Sequence, residues 1–301
     1  MKKILKGLFK FLFIIAILVC TYFYDDIGKY INNINVLDNV KSTVKYDDDL
    51  KIYFVDVGQA DCILIKYLNN NILIDAGNNE DGPLLVQYFK SLGVDKFDYV
   101  IGTHAHEDHI GGMDDIINNF QIDHFMMPDV ITPTKTFEDV LDSLANHNVK
   151  FETPTIDSKF NVSLLNFQIL FVGDDKSDLN NTSIVTKLSF GDTSYLFMGD
   201  ATSSVENMIL NKNISSDVLK VGHHGSQYSS SATFLKKVSP KYAVIQVGAN
   251  NSYNHPKAVV LNKLKRICSK IYRTDLDGTV ILTSDGVNIN FETVKTNTNG
   301  G

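Results

Sequence analysis

The chain is poor in residues that mark several classes of protein. It has three cysteines, Cys20, Cys62 and Cys268, too few for a disulfide framework. Its six prolines and 19 glycines exclude collagen-like and low-complexity architectures. Basic residues are outnumbered by acidic ones, 28 to 35, and the net charge of −7 argues against a dedicated duplex-DNA binder with a broad basic face. Hydrophobic residues make up 44% of the 301 positions, which is enough to bury a sizeable core.

The charge is unevenly distributed along the chain. Residues 1–24 hold four of the 28 basic residues and none of the 35 acidic ones, so the remaining 277 residues carry a net charge of −11. Residues 11–24 are an uncharged apolar run, which Asp25 and Asp26 follow directly. This pattern predicts a single membrane anchor helix in residues 1–24 with the rest of the chain outside the cell. A cleaved export signal, giving a secreted protein, and a buried helix of a cytosolic protein are the alternatives.

The remaining sequence divides into three parts by composition. Residues 25–50 are rich in asparagine and aspartate and are predicted to form a polar stalk. Residues 51–292 contain regular apolar patterns and are predicted to form one domain, and residues 293–301 form a tail.

Secondary-structure patterns in residues 51–292 run from strands to alternating helices and strands, twice over. Strands are predicted at 51–57, 62–68, 71–77, 124–128, 162–172, 184–190, 194–198, 217–222 and 241–247, and residues 99–106 are predicted to be a buried strand that runs into a polar loop. Helices are predicted at 83–92, 112–120, 136–148, 203–212, 231–237 and 256–268. Residues 280–292 read as a hairpin with its turn at Asp285 and Gly286. Together these elements predict an α/β sandwich of sheets with helices outside.

The densest group of ionisable side chains follows an apolar strand pattern. His104, His106, Glu107, Asp108 and His109 fall within six residues. Imidazole and carboxylate groups are ligands for zinc, manganese and iron. Without a cation, side chains packed this tightly would repel one another or stay unpaired. The segment therefore predicts a metal site, with the two parts of the motif addressing two ions.

The same segment, HAHEDHIGG, matches the HxHxDH signature of the metallo-β-lactamase superfamily. Other segments resemble the ComEC-like branch of that superfamily and occur in the order of that family. They are FVDVGQADCILI (54–65), IDAG (74–77), NNTSIV (180–185), LFMGDA (196–201), LKVGHHGS (219–226), NSYNHP (251–256) and YRTDLDGTV (272–280). The resemblance covers roughly residues 51–290, and the large multi-spanning channel region of ComEC proteins has no counterpart in this sequence.

The resemblance implies an αββα metallo-β-lactamase sandwich with two divalent metal ions. By motif, His104 and His106 would bind one ion, and Asp108 and His109 the other. Asp200 would bridge both ions, although an aspartate at this position also suits the cap of a following helix. Zinc is the favoured metal, and manganese and iron fit the same ligand types.

Several further residues are candidates for binding metal or substrate. The resemblance implies His223 as a metal ligand and His224 as a group facing the substrate, while His255 competes for the ligand role. Asn181 and Ser183 stand where many superfamily members have another ligand, and they are candidates to hydrogen-bond substrate or water. Lys220 is a candidate phosphate contact, with an exposed strand lysine as the alternative.

The function implied is an extracytoplasmic metal-dependent hydrolase, a phosphodiesterase or nuclease that uses a metal-activated hydroxide. Asp108, His224 and Asn181 are the candidate catalytic residues, with His224 or His255 giving a proton to the leaving group. A second hypothesis is hydrolysis of a cell-surface phosphoester of the phosphorylcholine type. A third is a metal-stabilised, membrane-associated binding protein without catalysis. The expected partners are the membrane, through the N-terminal helix, and a phosphoester or nucleic-acid substrate, and no obligate protein partner is evident.

Overall fold

The computed structural model describes residues 48–295. The predicted anchor, residues 1–24, lies outside the described residues, as do residues 25–47 of the stalk and residues 296–301 of the tail. Within residues 48–295, no helix is both long enough and apolar enough to cross a membrane.

In this part of the chain, fifteen strands and eight α-helices are formed. The strands are β1 (Leu50–Phe54), β2 (Cys62–Tyr67), β3 (Asn70–Ala76), β4 (Lys96–Ile101), β5 (Gln121–Met126), β6 (Phe151–Glu152), β7 (Lys159–Val162), β8 (Leu165–Phe171), β9 (Val185–Phe190), β10 (Thr193–Phe197), β11 (Val218–Lys220), β12 (Tyr242–Ile245), β13 (Lys270–Arg273), β14 (Thr279–Ser284) and β15 (Ile289–Val294). The helices are α1 (Gly82–Ser91), α2 (Glu107–Ile110), α3 (Met113–Asn119), α4 (Lys135–Asn146), α5 (Ser203–Ile209), α6 (Ala232–Val238), α7 (Ala258–Leu264) and α8 (Thr274–Asp277).

The strands form two sheets with similar layouts. The eight-stranded sheet has the order β15-β14-β1-β2-β3-β4-β5-β6, and the seven-stranded sheet has the order β13-β12-β11-β10-β9-β8-β7. In the first sheet, strands β15 to β3 pair antiparallel and strands β3 to β6 pair parallel. In the second sheet, β7 to β10 pair antiparallel and β10 to β13 pair parallel. The parallel strands need crossover connections, and helices supply most of them.

Helices cover the outer face of each sheet, and the inner faces meet. On the first sheet, side chains of β1 to β5 pack with α1, α3 and α4, as Leu73 does in one apolar cluster with Phe89. On the second sheet, Leu219 packs in a cluster with Val205 and Phe234 of the helices outside. Between the sheets, the rings of Phe54 and Phe197 lie 6.5 Å apart between centroids. These contacts give the order helix, sheet, sheet, helix, which confirms the predicted two-sheet α/β sandwich.

Most differences from the predicted elements are local. The strand predicted at 162–172 is confirmed over most of its length as β8, but Val162 ends a separate strand, β7, that was not predicted. Val162 pairs with Leu165 across a two-residue turn, and Ser163 takes a left-handed φ of 53° there. The hairpin with its turn at Asp285 and Gly286 is confirmed between β14 and β15. The short strands β6 and β13 were not predicted, since neither carries a long apolar run.

Candidate metal centre

The candidate site residues follow the carboxyl ends of parallel strands in both sheets. His104, His106, Asp108 and His109 come after β4 of the first sheet. Asp200 comes after β10, His223 and His224 after β11, and His255 after β12 of the second sheet. Loops at the carboxyl ends of strands in an α/β sheet meet at one edge and form a crevice there. Segments that are far apart in the sequence are therefore expected to form one site.

Two glycines let the signature loop approach the end of β3. A Cβ on Gly111 would lie 2.2 Å from the carbonyl carbon of Asn78, and a Cβ on Gly112 would lie 2.6 Å from the carbonyl oxygen of Ala76. No side chain fits at such distances from backbone atoms. The Gly111 amide donates to the carbonyl of Gly77 at 2.9 Å, which fixes helix α2 against this turn. Helix α2 carries Asp108 and His109 into the site.

Asp75, at the end of β3, orients His109. Its Oδ2 lies 2.8 Å from His109 Nδ1 and accepts a hydrogen bond from the Thr103 hydroxyl at 2.8 Å. Burial raises the pKa of Asp75, and the neighbouring His109 partly offsets that rise. With Nδ1 donating to this carboxylate, His109 presents Nε2 to the site with its lone pair. Asp75 lies in the IDAG segment (74–77) that carries the resemblance, but no role was predicted for it from the sequence.

Asp108, His109, Asp200 and His224 converge on one point. Each offers a ligand atom, and these four atoms lie within 4.8 Å of one another. His109 Nε2 is 3.4 Å from Asp200 Oδ1, and His224 Nε2 is 3.3 Å from Asp108 Oδ2. Two ligands at about 2.1 Å from one tetrahedral ion stand roughly 3.4 Å apart. The spacing of this group therefore suits a bound ion.

Buried atoms without partners support the same conclusion. His109 Nε2, Asp200 Oδ1 and His224 Nε2 are buried and have no hydrogen-bond partner. Such groups normally find a partner, because leaving one unpaired costs about 1–3 kcal/mol. A divalent cation at this point would satisfy all three atoms at once, so the donor set fits a metal.

The electrostatics of the group favour positive charge. Burial opposes ionisation of Asp200, yet His224 and His109 hold its pKa well below the usual range. Burial likewise opposes protonation of His109, but Asp200, Asp75 and Asp108 raise its pKa well above the usual value. Three carboxylates thus create a strongly negative potential around one imidazole, which a cation would neutralise.

His104 and His106 lie beside this group. His104 Nε2 is 2.9 Å from His106 Nδ1, and His104 Nδ1 is 3.1 Å from the Thr103 hydroxyl. The ring of His104 lies 4.2 Å from that of His109 between centroids. Burial and the charge of His109 hold the pKa of His104 well below its usual value. Within residues 48–295, the groups with metal-ligand spacing include neither His104 nor His106.

His223 and His224 occupy different surroundings, although they are adjacent. Both have left-handed backbones, with φ of 52° and 50°. His224 is buried, its Nδ1 lies 3.0 Å from the carbonyl oxygen of Gln246, and its Nε2 is 3.6 Å from Asp200 Oδ2. His223 borders a cavity, with its Nε2 3.7 Å from Asp200 Oδ2. Of the two, only His224 belongs to the four-residue group, and His223 is the more exposed, with 22% of its side chain accessible against 2% for His224.

Lys220 lies buried beneath the site. Its Nζ is 2.6 Å from Asp61 Oδ2, and both residues are 1% exposed. Asp61 Oδ1 in turn lies 3.4 Å from His224 Nδ1. Lys220 therefore contacts a carboxylate inside the protein and does not line the cavity.

Asn181 and Ser183 are the two other candidates for contacts with substrate. The side chains of both form hydrogen bonds with other residues of the protein. The Asn181 side-chain oxygen accepts hydrogen bonds from the hydroxyls of Thr202 at 2.6 Å and Ser204 at 3.0 Å. The Ser183 hydroxyl accepts from the amide of Asp200 at 3.1 Å. Asn180 lines the cavity instead, and its Oδ1 is buried without a partner.

A cavity of about 530 Å³ opens above the convergent group. Volumes of this size are typical of small-molecule sites. Its lining contains acidic, amide, histidine and tyrosine side chains, and it contains neither lysine nor arginine. The lining residues are Gln59, Asn78, His106, Glu107, Asp108, Asn180, Asp200, His223, His224, Tyr253 and His255. Gln59, Asn78 and Tyr253 were not predicted as site residues, although Gln59 and Tyr253 lie in segments that carry the resemblance.

Two facing sheets with helices outside and a His/Asp cluster at their shared strand ends define an α/β protein of the metallo-β-lactamase type. The family model of the metallo-beta-lactamase superfamily matches residues 55–248. The chain belongs to this superfamily.

Curated relatives place the chain near the ComEC-like proteins and confirm that resemblance. ComE operon protein 3 of Bacillus subtilis is 29% identical over 251 residues, covering 76% of this chain and 32% of the relative. Competence protein ComA of Neisseria gonorrhoeae is 29% identical over 229 residues, covering 74% and 30%. The chain thus spans about a third of the length of these relatives.

A solved structure shares the fold. The metallo-beta-lactamase fold protein YhfI of Bacillus subtilis aligns with a TM-score of 0.56 at 12% identity. The alignment covers 79% of this chain and all of that protein.

Proposed function

We propose that the chain is an extracytoplasmic metal-dependent phosphodiesterase or nuclease. The observation that carries the proposal is the convergence of His109 Nε2, Asp200 Oδ1 and His224 Nε2, all buried and unpartnered, at the base of an open cavity. A group of ligands that meets where a substrate can enter suits catalysis better than a purely structural metal.

The proposed ligands follow the geometry of the cluster. Asp108, His109, Asp200 and His224 hold one divalent ion, and His104 and His106 take part in holding a second. We propose zinc, because imidazole and carboxylate ligands suit it. When bound, such ions polarise a phosphoryl oxygen and lower the pKa of water. His224 replaces His223 in the ligand set that the sequence suggested.

The residues around the cluster have distinct proposed roles. Asp75 and the Gln246 carbonyl fix the His109 and His224 rings. His223 and Asn180 line the cavity, and each has a buried polar atom without a hydrogen-bond partner, His223 Nδ1 and Asn180 Oδ1. These two side chains are placed to bind a substrate.

The cavity lining favours short or single-stranded substrates. Glu107, Asp108 and Asp200 bring negative charge, and the lining has no lysine or arginine to neutralise successive phosphates. A bound cation pair would restore positive potential only at the cluster. The similarity to competence proteins supports nucleic acid as the substrate class.

A hydrolysis assay tests the proposal. The purified full-length chain is incubated with bis-p-nitrophenyl phosphate and with single- and double-stranded DNA, with added Zn²⁺ or Mn²⁺ and with a chelator. We expect metal-dependent turnover, abolished by the chelator and lost in Asp108→Ala. Asp123→Ala changes a surface aspartate outside the site and should keep activity. Absence of metal-dependent turnover on every substrate would overturn the enzymatic function.

The extracytoplasmic location rests on the charge pattern of residues 1–26 and is tested separately. Alkaline phosphatase fused to the C-terminus is active only outside the cytoplasm, so an anchored or exported chain should give active fusions. Inactive fusions with full expression would contradict the proposed location.

A further inference from the structure

Tyr253 presents an aromatic face at the rim of the cavity. Its ring lies 5.6 Å from that of His255 between centroids, with an interplanar angle of 23°. Tyr253 is nevertheless 61% exposed, and it lines the cavity. One face of the ring is therefore covered by His255, and the rest is available to a ligand.

The turn that carries Tyr253 is held by Asn251. The Asn251 side chain donates to the carbonyls of Gly248 at 2.9 Å and His255 at 2.7 Å, and it accepts from the His255 amide at 2.9 Å. An exposed large aromatic side chain on a braced turn loses little conformational freedom when it binds a ligand. The structure thus supplies a pre-formed platform beside the metal cluster.

We infer that Tyr253 stacks an unpaired nucleobase next to the scissile phosphate. The inference rests on the proposed function and deepens it, since it names single-stranded nucleic acid or short oligonucleotides as the substrate class. The phosphate lies at the cluster of Asp108, Asp200 and His224, and the base lies on the Tyr253 ring. The cavity lining holds neither lysine nor arginine to follow successive phosphates of the backbone, so base stacking becomes the main source of affinity for nucleic acid.

A flat ring fits this platform better than a choline group. Sites for quaternary ammonium groups surround the cation with several aromatic rings. Apart from histidines, Tyr253 is the sole aromatic residue in the cavity lining within the described part of the chain. A single ring offers one flat surface, which matches a base.

The test compares two phosphodiesters that differ only in their bases. One is a thymidine dinucleotide, and the other is the same dinucleoside phosphate with tetrahydrofuran in place of each nucleoside. We expect Tyr253→Ala to lower kcat/KM on the dinucleotide by about 5- to 100-fold, chiefly through KM, because one stacked base is lost. The abasic analogue should be unaffected, and Tyr253→Phe should retain the wild-type preference.

Tyr228 provides a matched control. It is 65% exposed and does not line the cavity, so Tyr228→Ala should leave both substrates unchanged. Equal losses on both substrates in Tyr253→Ala, or no loss on either, would overturn the inference. So would a comparable loss on p-nitrophenyl phosphorylcholine, which would indicate a choline site.

A binding measurement separates this inference from the hydrolytic function. Fluorescently labelled oligothymidine is titrated with the wild-type protein, with Tyr253→Ala and with Tyr228→Ala, and fluorescence polarisation is recorded. Weaker binding by Tyr253→Ala alone would support stacking even if no substrate were hydrolysed. Equal binding by all three proteins would contradict it, whatever the outcome of the activity assay.

Discussion

Lys220 Nζ lies 2.6 Å from Asp61 Oδ2 in the interior of the protein, directly behind the imidazole of His224. Both residues are 1% exposed. Burial opposes ionisation of Asp61, but Lys220 and His224 hold the pKa of its carboxyl below the usual value. The pair joins β11 to the loop between β1 and β2, and so ties the two sheets together beneath the candidate metal centre.

Removing one partner of this pair should strongly destabilise the fold. Lys220→Met leaves Asp61 buried without its ammonium partner, and loss of one partner of a buried pair costs about 3–5 kcal/mol. Lys96→Met removes a surface pair with Asp123, whose side chains are 42% and 35% exposed, and should cost less than about 1 kcal/mol. Urea unfolding monitored by circular dichroism gives both values. Similar midpoints for the two variants would show that the buried pair has no special role in stability.

Asp75 is expected to control metal affinity through His109. Asp75→Asn replaces the carboxylate that lies 2.8 Å from His109 Nδ1, so the ring loses the partner that fixes its orientation. Loss of such an outer hydrogen-bond partner typically weakens metal binding by about 10–100-fold. Competition of the full chain with a zinc-chelating dye measures the change. Asp123→Asn serves as the surface control, and unchanged affinity in Asp75→Asn would contradict the assigned role.

The adjacent histidines allow a matched comparison of ligand roles. Both histidines line the cavity, but only His224 belongs to the convergent group with Asp108 and Asp200. His224→Gln should therefore weaken metal binding by more than the roughly 100-fold cost of losing an outer partner. His223→Gln should largely keep the metal and lower turnover instead. Metal content after dialysis and kcat/KM together separate the two roles, and the reverse pattern would restore His223 as the ligand.

The sequence was sufficient to predict the two-sheet sandwich because alternating patterns of apolar residues are local. It also identified Asp108, which lies in the dense group of ionisable residues at 104–109, and, through the resemblance, Asp200. The roles of Asp61 and Asp75 were not predicted, because their partners, Lys220 and His109, lie far along the chain. Only the folded sheets bring those pairs together.

Local backbone geometry explains the other differences between the predicted site and the observed one. The left-handed conformations of His223 and His224 decide which ring enters the cluster, and no periodic pattern reveals that choice. Asn181 was the asparagine expected to face substrate, but its oxygen is occupied by Thr202, and the preceding Asn180 lines the cavity. A shift of one residue in a short turn is beyond what residue spacing can resolve.

His255 should stay neutral well below neutral pH. Burial, followed by the positive charges of His223, His224 and Lys257, lowers the pKa of His255 to about 4. An ordinary histidine has a pKa of about 6.5, so the folded state favours neutral His255 between these values. In the NMR spectrum, its ring signals, assigned by their loss in His255→Gln, should not titrate between pH 7.5 and about pH 5. Titration near pH 6.5 would contradict the assignment.

The lowered pKa of His255 also predicts how the stability of the fold changes with pH. Because the pKa is lower in the folded state than in the unfolded chain, the contribution of His255 is fully present above about pH 6.5. It is lost as the pH falls toward 4, where the folded protein must also take up the proton. His255→Gln should therefore show a shallower fall in urea midpoint between pH 6.5 and pH 4 than the wild type.

A neutral His255 ring at pH 7 holds no ready proton for a leaving group, so His255→Gln should also keep the wild-type shape of the pH profile of kcat between pH 4 and pH 7. A basic limb that disappears in His255→Gln would instead identify His255 as the proton donor.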